Sequence, residues 1–198
     1  LTVTLTLTLT LSEVRAKALY AASGLLRACP EAQAQFIAHD GLQALLGGKL
    51  QAVITGSAPL APGIQKFAQT VFNCPVRQGY GLTETCAGTC ITLSRDNSTS
   101  TVGPPQECAC IKLRDWEEGG YRNADKDDKE IGMRRGEVLI GGPMVCAGYL
   151  ENPAMPDPEV SAKNKDEFVT IDGIRYFCTG DIGQISKDGV LLIRTSTF

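Results

Sequence analysis

The sequence predicts an α/β fold: a βαβ layer followed by a small antiparallel β unit. Two observations carry the first half. Residues 50–54 and 74–78 read as short apolar strands, each running into a loop with glycine in it, and a helical apolar pattern bridges them. A third observation carries the second half. Asp172-Gly173 and Lys187-Asp188-Gly189 each separate two β-prone runs, as hairpin turns do.

At 198 residues the chain can bury a sizeable core, as one domain or as part of a larger one. With 43% hydrophobic and 21% charged residues it lies outside the disordered and collagen-like classes. A net charge of −3 and the lack of a basic run argue against a nucleic-acid partner. No apolar run approaches the ~20 residues of a membrane-spanning helix, and the first residues do not read as a signal peptide. Cys29, Cys74, Cys86, Cys90, Cys108, Cys110, Cys146 and Cys178 include no Cys-x-x-Cys pair, and His39 is the one imidazole. Reduced, mostly buried thiols are expected over a zinc site or a disulfide framework. Histidine-based triads would have to rest on His39, and nothing near it suggests one.

Residues 1–11 alternate Leu or Val with Thr, formally a half-buried strand. The two-residue repeat reads instead as low-complexity sequence outside the fold, leaving 12–198 as the domain. Ser12 then caps a helical pattern with Val14, Ala18, Ala21, Ala22, Leu25 and Leu26 on one face. Pro30 opens a second helix, and Asp40 caps a third that stops at Gly47-Gly48. Strand 50–54 enters Thr55-Gly56-Ser57-Ala58-Pro59-Leu60, a small-residue loop where open α/β sheets bind ligands. Ile64, Phe67, Ala68, Val71 and Phe72 keep the spacing of a buried helix face. Strand 74–78 should return parallel to the first, which would set Gly56, Ser57 and Ala58 beside Tyr80 and Glu84.

Residues 111–114 and 137–140 read as strands, with a charged, solvated loop over 115–135 between them. Residues 168–171 and 174–177 form one expected hairpin, and 182–186 and 190–193 a second. Between the two, Cys178-Thr179-Gly180-Asp181 is expected as a small turn presenting a carboxylate.

The chemistry concentrates in Gln78-Gly79-Tyr80-Gly81-Leu82-Thr83-Glu84-Thr85. Gly79 and Gly81 lack the Cβ that would keep a ligand off the main chain. Tyr80 offers a flat face for stacking, Thr83 can donate to an anion, and Glu84 can hold a hard cation such as Mg²⁺. On these residues alone, a plain tight turn is about equally good a reading.

Three further blocks lie in register with this one. Tyr80-Gly81-Leu82-Thr83-Glu84 resembles a core motif of the adenylate-forming (AMP-binding) enzymes. Gly136-Glu137-Val138-Leu139-Ile140-Gly141-Gly142-Pro143, with Gly148-Tyr149 and Asn152-Pro153, resembles a second, and Phe177-Cys178-Thr179-Gly180-Asp181 a third. Thr55-Gly56-Ser57-Ala58-Pro59-Leu60 fits the loop that precedes the first. The wording of residues 78–86, 112–121 and 177–183 is similar to eukaryotic long-chain acyl-CoA synthetases, and the resemblance covers roughly residues 45–193.

The resemblance implies part of the N-terminal domain of an adenylate-forming enzyme and an acid–thiol ligase activity. Such enzymes join a fatty acid to ATP as acyl-AMP, then pass the acyl group to coenzyme A. It implies that Tyr80 stacks on adenine, with Gly56, Ser57, Ala58, Gln78 and Gly79 lining the base. Thr83 would bond the AMP phosphate, Glu84 would ligate Mg²⁺, and Asp181 would accept from the ribose hydroxyls. Fatty acid, ATP and coenzyme A are thus the implied partners. The implied location is the cytoplasmic side, peripheral at the endoplasmic reticulum or another organelle membrane through segments outside this chain.

Two family segments have no counterpart here. Nothing in residues 1–44 resembles the Ser/Thr/Gly-rich phosphate loop that ends in lysine. After Ile193 the chain reads Arg194-Thr195-Ser196-Thr197-Phe198, where the family has an Asp-Arg-Lys-Lys-Asp hinge and a further domain. The expectation is therefore an internal piece that keeps the nucleotide floor and does not form acyl-CoA by itself. A non-catalytic nucleotide-binding or interaction module, and a truncated product without stable function, remain open alternatives.

Overall fold

The structure is a computed structural model that describes residues 3–4, 46–47, 49–72, 74–94 and 96–196. The helices expected over 12–26 and from Pro30 lie outside these, as does the third after Asp40 except for its end, where Leu46 and Gly47 form a turn. The chain divides into two compact units, Leu1–Gln78 with Ser94–Ser100 and Gly79–Leu93 with Thr101–Phe198. Among the described residues no helix is long and apolar enough to cross a membrane.

In the first unit, β1 (Val3–Thr4) pairs parallel with β2 (Val53–Thr55). Strand β2 in turn pairs parallel with β3 (Val76–Tyr80), Thr55 level with Gln78. The intervening helix α1 (Pro62–Phe72) starts with proline, whose missing N–H costs nothing in a first turn. This is the expected βαβ unit. Val53, Cys74 and Val76 form its apolar cluster, against which Leu50, Leu60, Ala68 and Phe72 pack.

The helix face differs from expectation at Ile64. Ile64 is exposed, whereas Gln65 is 1% exposed. Its amide nitrogen lies 3.0 Å from the Val76 carbonyl and 3.1 Å from that of Ser98, and its carbonyl accepts from Gln78 Nε2 at 2.9 Å. A buried amide is tolerated only when so satisfied, and a count of apolar periodicity cannot see it.

In the second unit, β4 (Cys90–Ile91) pairs with the last two residues of β3. Strands β5 (Cys110–Arg114), β6 (Arg134–Gly141), β8 (Ile174–Ile185) and β7 (Phe168–Ile171) follow in that spatial order. Strand β9 (Leu191–Ser196) also pairs with β8, which therefore has β6 along one edge and β7 then β9 along the other. Helix α2 (Pro158–Asp166), capped by the Asp157 carboxylate on Glu159 N–H at 2.9 Å, leads into β7. Strand β6 is buried on both faces. Val138 and Ile140 pack with Cys90 and Leu191, while Leu139 packs with Tyr176 and Cys178 on the other side.

Two expectations for this unit are corrected. The hairpins share one continuous strand, so Cys178–Asp181 is no turn between them. Cys178 pairs with Leu139 and Ile182 with Glu137, which leaves Thr179, Gly180 and Asp181 facing Val138 alone as a bulge. The stretch 115–135 is also more than a solvated loop. Trp116 and Tyr121 exchange backbone hydrogen bonds of 2.9 and 3.1 Å and stack their rings at 5.9 Å. Arg135 donates to Asp125 at 2.7 Å and lies 4.8 Å from the Tyr121 ring, and a 3₁₀ turn (Asn123–Asp127) sits between.

Candidate functional site

Tyr80 ends β3 with its ring against the Cys90, Val138, Ile140 and Leu191 cluster. Its hydroxyl donates to Asp181 Oδ2 at 2.7 Å, joining two motif blocks that are 101 residues apart. Burial pushes the Tyr80 phenol well above its ordinary value; the Asp181 charge adds to this and the Thr179 hydroxyl opposes it. Asp181 is half-buried, and burial likewise pushes its carboxyl up, against the pull of the Tyr80 hydrogen bond.

The bulge aims Asp181. Thr179 donates its hydroxyl to the Val138 carbonyl at 2.8 Å and accepts the Asp181 N–H at 3.0 Å. Gly180 sits at φ +70°, a conformation that L side chains rarely take. Glu137 backs the bulge: Oε1 accepts the Gly180 N–H at 3.3 Å, and Oε2 accepts from Arg114 Nε at 2.8 Å. Thr179 and Glu137 were not singled out from the sequence, although both lie inside the quoted motif blocks.

Thr83–Thr85 form one 3₁₀ turn, closed by left-handed Cys86 and Ala87. The buried Thr85 holds it: its Oγ1 accepts the Leu82 N–H at 3.1 Å and lies 3.1 Å from the Thr89 hydroxyl. Thr83 stays exposed and Glu84 is half-buried on the same turn. Gly81 owes its identity to this loop rather than to a ligand's approach, because a Cβ there would collide with the Ala87 carbonyl. Gly79 lies within β3, opposite Ile91.

Glu84 is fixed on main chain and side chain. Its carbonyl accepts the Cys146 N–H at 2.8 Å, and its Oε1 lies 2.8 Å from the Tyr149 hydroxyl. That hydroxyl is also 2.9 Å from Glu167 Oε2. Burial first, then the two carboxylates, push the Tyr149 phenol well above its usual value. The motif reading gave Tyr149 no role and passed over Glu167.

Among the described residues no group of three His, Cys, Asp or Glu side chains could hold a metal ion. Within the second unit Tyr80 is bonded to Asp181, and Thr83 and Glu84 share the 3₁₀ turn that follows β3. Gly56, Ser57, Ala58 and Gln78 belong to the first. There Gly56, Ser57 and Ala58 are exposed, with Ser57 left-handed at φ +71°. Gln78 is 4% exposed and spends its carbonyl on the Leu60 N–H at 3.0 Å, so its side chain orders the loop.

A sequence model described as AMP-binding enzyme matches residues 3–150. Long chain acyl-CoA synthetase 8 of Arabidopsis thaliana is 43% identical over 150 residues, 76% of this chain and 19% of the relative. Among solved structures, a long-chain-fatty-acid-CoA ligase (FadD1) from Archaeoglobus fulgidus superposes with a TM-score of 0.56 at 25% identity. It covers 75% of this chain and 29% of that one. The N-terminal domain of FACL13 from Mycobacterium tuberculosis gives 0.54 at 24% identity, over 82% and 37% of the two chains. The chain thus spans about a fifth of the length of the curated relatives it matches. Its fold is that of part of the N-terminal domain of adenylate-forming enzymes, and with the family model matching residues 3–150 the chain belongs to the AMP-binding enzymes.

Proposed function

We propose that the second unit forms a nucleotide floor of a long-chain fatty acid–CoA ligase, which activates a fatty acid with ATP and transfers it to coenzyme A. The observation that carries this reading is the 2.7 Å hydrogen bond from Tyr80 to Asp181. It sets an aromatic ring and a carboxylate side by side, as recognition of an adenosine needs. Tyr80 offers the ring and Gly79 the adjoining main chain. Asp181 keeps Oδ1 for the ribose hydroxyls, charge-assisted acceptance being the stronger kind. Thr83, exposed at the start of its turn, is the donor for the AMP phosphate.

In the reaction the fatty-acid carboxylate forms a bond to the α-phosphorus of ATP while the bond to pyrophosphate breaks. The coenzyme A thiolate then takes the acyl group and AMP leaves. Charge builds on the phosphoryl oxygens, so oriented donors and cations do most of the work. Glu84 fits a magnesium ion chemically: it is a hard oxygen donor, half-buried, with Oε1 held and Oε2 bonded to no described residue. One carboxylate completed by water and substrate phosphates is an ordinary magnesium environment. When bound, the ion would offset phosphate charge, and Glu84 would orient it.

The test is ligand-dependent melting of this chain. AMP should raise the melting temperature of the parent, and a stable long-chain acyl-AMP mimic should raise it further. Asp181→Ala should lose both shifts. A parent that melts identically with and without AMP overturns the reading. A shift from AMP that the acyl chain does not enlarge would favour a nucleotide-binding module over a ligase.

A further inference from the structure

The Tyr149 hydroxyl has one proton and two carboxylates in reach, Glu84 Oε1 at 2.8 Å and Glu167 Oε2 at 2.9 Å. Whichever carboxylate lacks the proton faces an oxygen lone pair, so the two compete for one hydrogen bond. The main chain on both sides of this hydroxyl is tied down. Asn164 clasps the Tyr149 main chain, accepting its N–H at 2.6 Å and donating to its carbonyl at 2.9 Å. The Tyr149 ring meets Phe168 edge to face at 5.5 Å. Glu167 sits at the junction of α2 and β7, where its N–H donates to the Lys163 carbonyl at 2.9 Å and its carbonyl accepts the Cys178 N–H at 2.7 Å. The O–H bond itself is free to turn between the two acceptors.

We propose that Tyr149 is a positioning residue for Glu84, and that Glu167 is the alternate acceptor that lets the hydroxyl release Glu84 when a divalent cation takes it. With Glu84 bare, the Tyr149 proton serves Oε1 and holds the carboxylate in place. With Glu84 charge-compensated by a cation, the proton turns to Glu167, and the cation offsets the repulsion between Oε1 and the hydroxyl lone pair that then faces it. No bond to carbon, oxygen or hydrogen is broken; a hydroxyl rotates. Partners behind a metal ligand of this kind set its orientation and basicity, and losing one typically weakens metal binding about tenfold or more. The inference rests on the reading of Glu84 as a cation ligand.

The experiment is Mn²⁺ binding to the whole chain by electron paramagnetic resonance, with and without AMP, beside melting curves. Glu84→Gln should abolish binding. Tyr149→Phe keeps the ring and its packing, and Glu167→Gln keeps the size and an acceptor. Each should weaken Mn²⁺ about tenfold at an unchanged melting temperature. If Glu84→Gln loses the metal while both other variants bind like the parent, the inference fails and the Glu84 reading stands. If the parent binds no Mn²⁺, or Glu84→Gln binds as the parent does, both fail. Should Tyr149→Phe melt early, Glu167→Gln decides alone, since it leaves the tyrosine untouched.

Discussion

If Asp181 holds the ribose as proposed, stability and ligand binding pull in opposite directions with pH at this residue. Burial raises its carboxyl above the ordinary aspartate value of about 3.9, and the Tyr80 hydroxyl only partly offsets this. The folded chain therefore keeps the proton at pH values where the unfolded chain has lost it. By linkage, this group's contribution to stability is complete below the unfolded value and is lost as pH rises through the raised folded one. The proposed recognition of ribose hydroxyls uses the ionised form, so on that reading AMP binding should strengthen over the same window. Melting curves of the parent and Asp181→Asn over pH 3 to 7 check the first half. The parent's advantage over the variant should shrink with rising pH, and an advantage that grows would show that the hydrogen bond outweighs the burial.

The element that sets this carboxylate is the bulge in β8, and it shows where sequence reading stops. The strands, α1 and both hairpin turns are legible because period and turn chemistry are local properties of the chain. Asp172 and Gly173, for example, are both left-handed in the turn their identities announce. Thr179-Gly180-Asp181 reads as a turn because small and polar residues favour turns. What makes it a bulge is the pairing of Cys178 with Leu139 and Ile182 with Glu137, which no local signal encodes. Gln65 and Tyr149 escaped for the same reason: their identities answer to Val76, Ser98, Glu84 and Glu167, far along the sequence. The bulge also makes a sharp demand. Gly180→Ala places a Cβ at φ +70° and should cost about 1–2 kcal/mol in urea unfolding. The same change next to Asp181 should also weaken AMP binding. Unaltered stability would mean that the bulge relaxes to regular pairing.

At the scale of the whole chain, the cysteines report on both units at once. The expectation of mostly buried thiols holds for only part of the set. Cys74, Cys90 and Cys178 are buried, Cys146 is half-buried, and Cys86, Cys108 and Cys110 are exposed, all of them free. Cys74 sits in the apolar cluster of the first unit, while Cys90 and Cys178 sit in two separate clusters of the second. Burial pushes the Cys90 thiol up to about 12, and pushes Cys74 and Cys178 upward as well. Alkylation needs both access and the thiolate, so these three are protected twice over. Iodoacetamide on the native chain near pH 8, read by mass spectrometry of its peptides, should modify Cys86, Cys108 and Cys110 first. Cys90 should lag them by about a hundredfold or more, given an ordinary thiol value of about 8.5. Fast labelling of Cys74 alone would mean that the β2–α1–β3 core opens while the β6–β8 sheet stays closed. Fast labelling of all three would mean that neither core is formed, and urea should then bring no further reactivity.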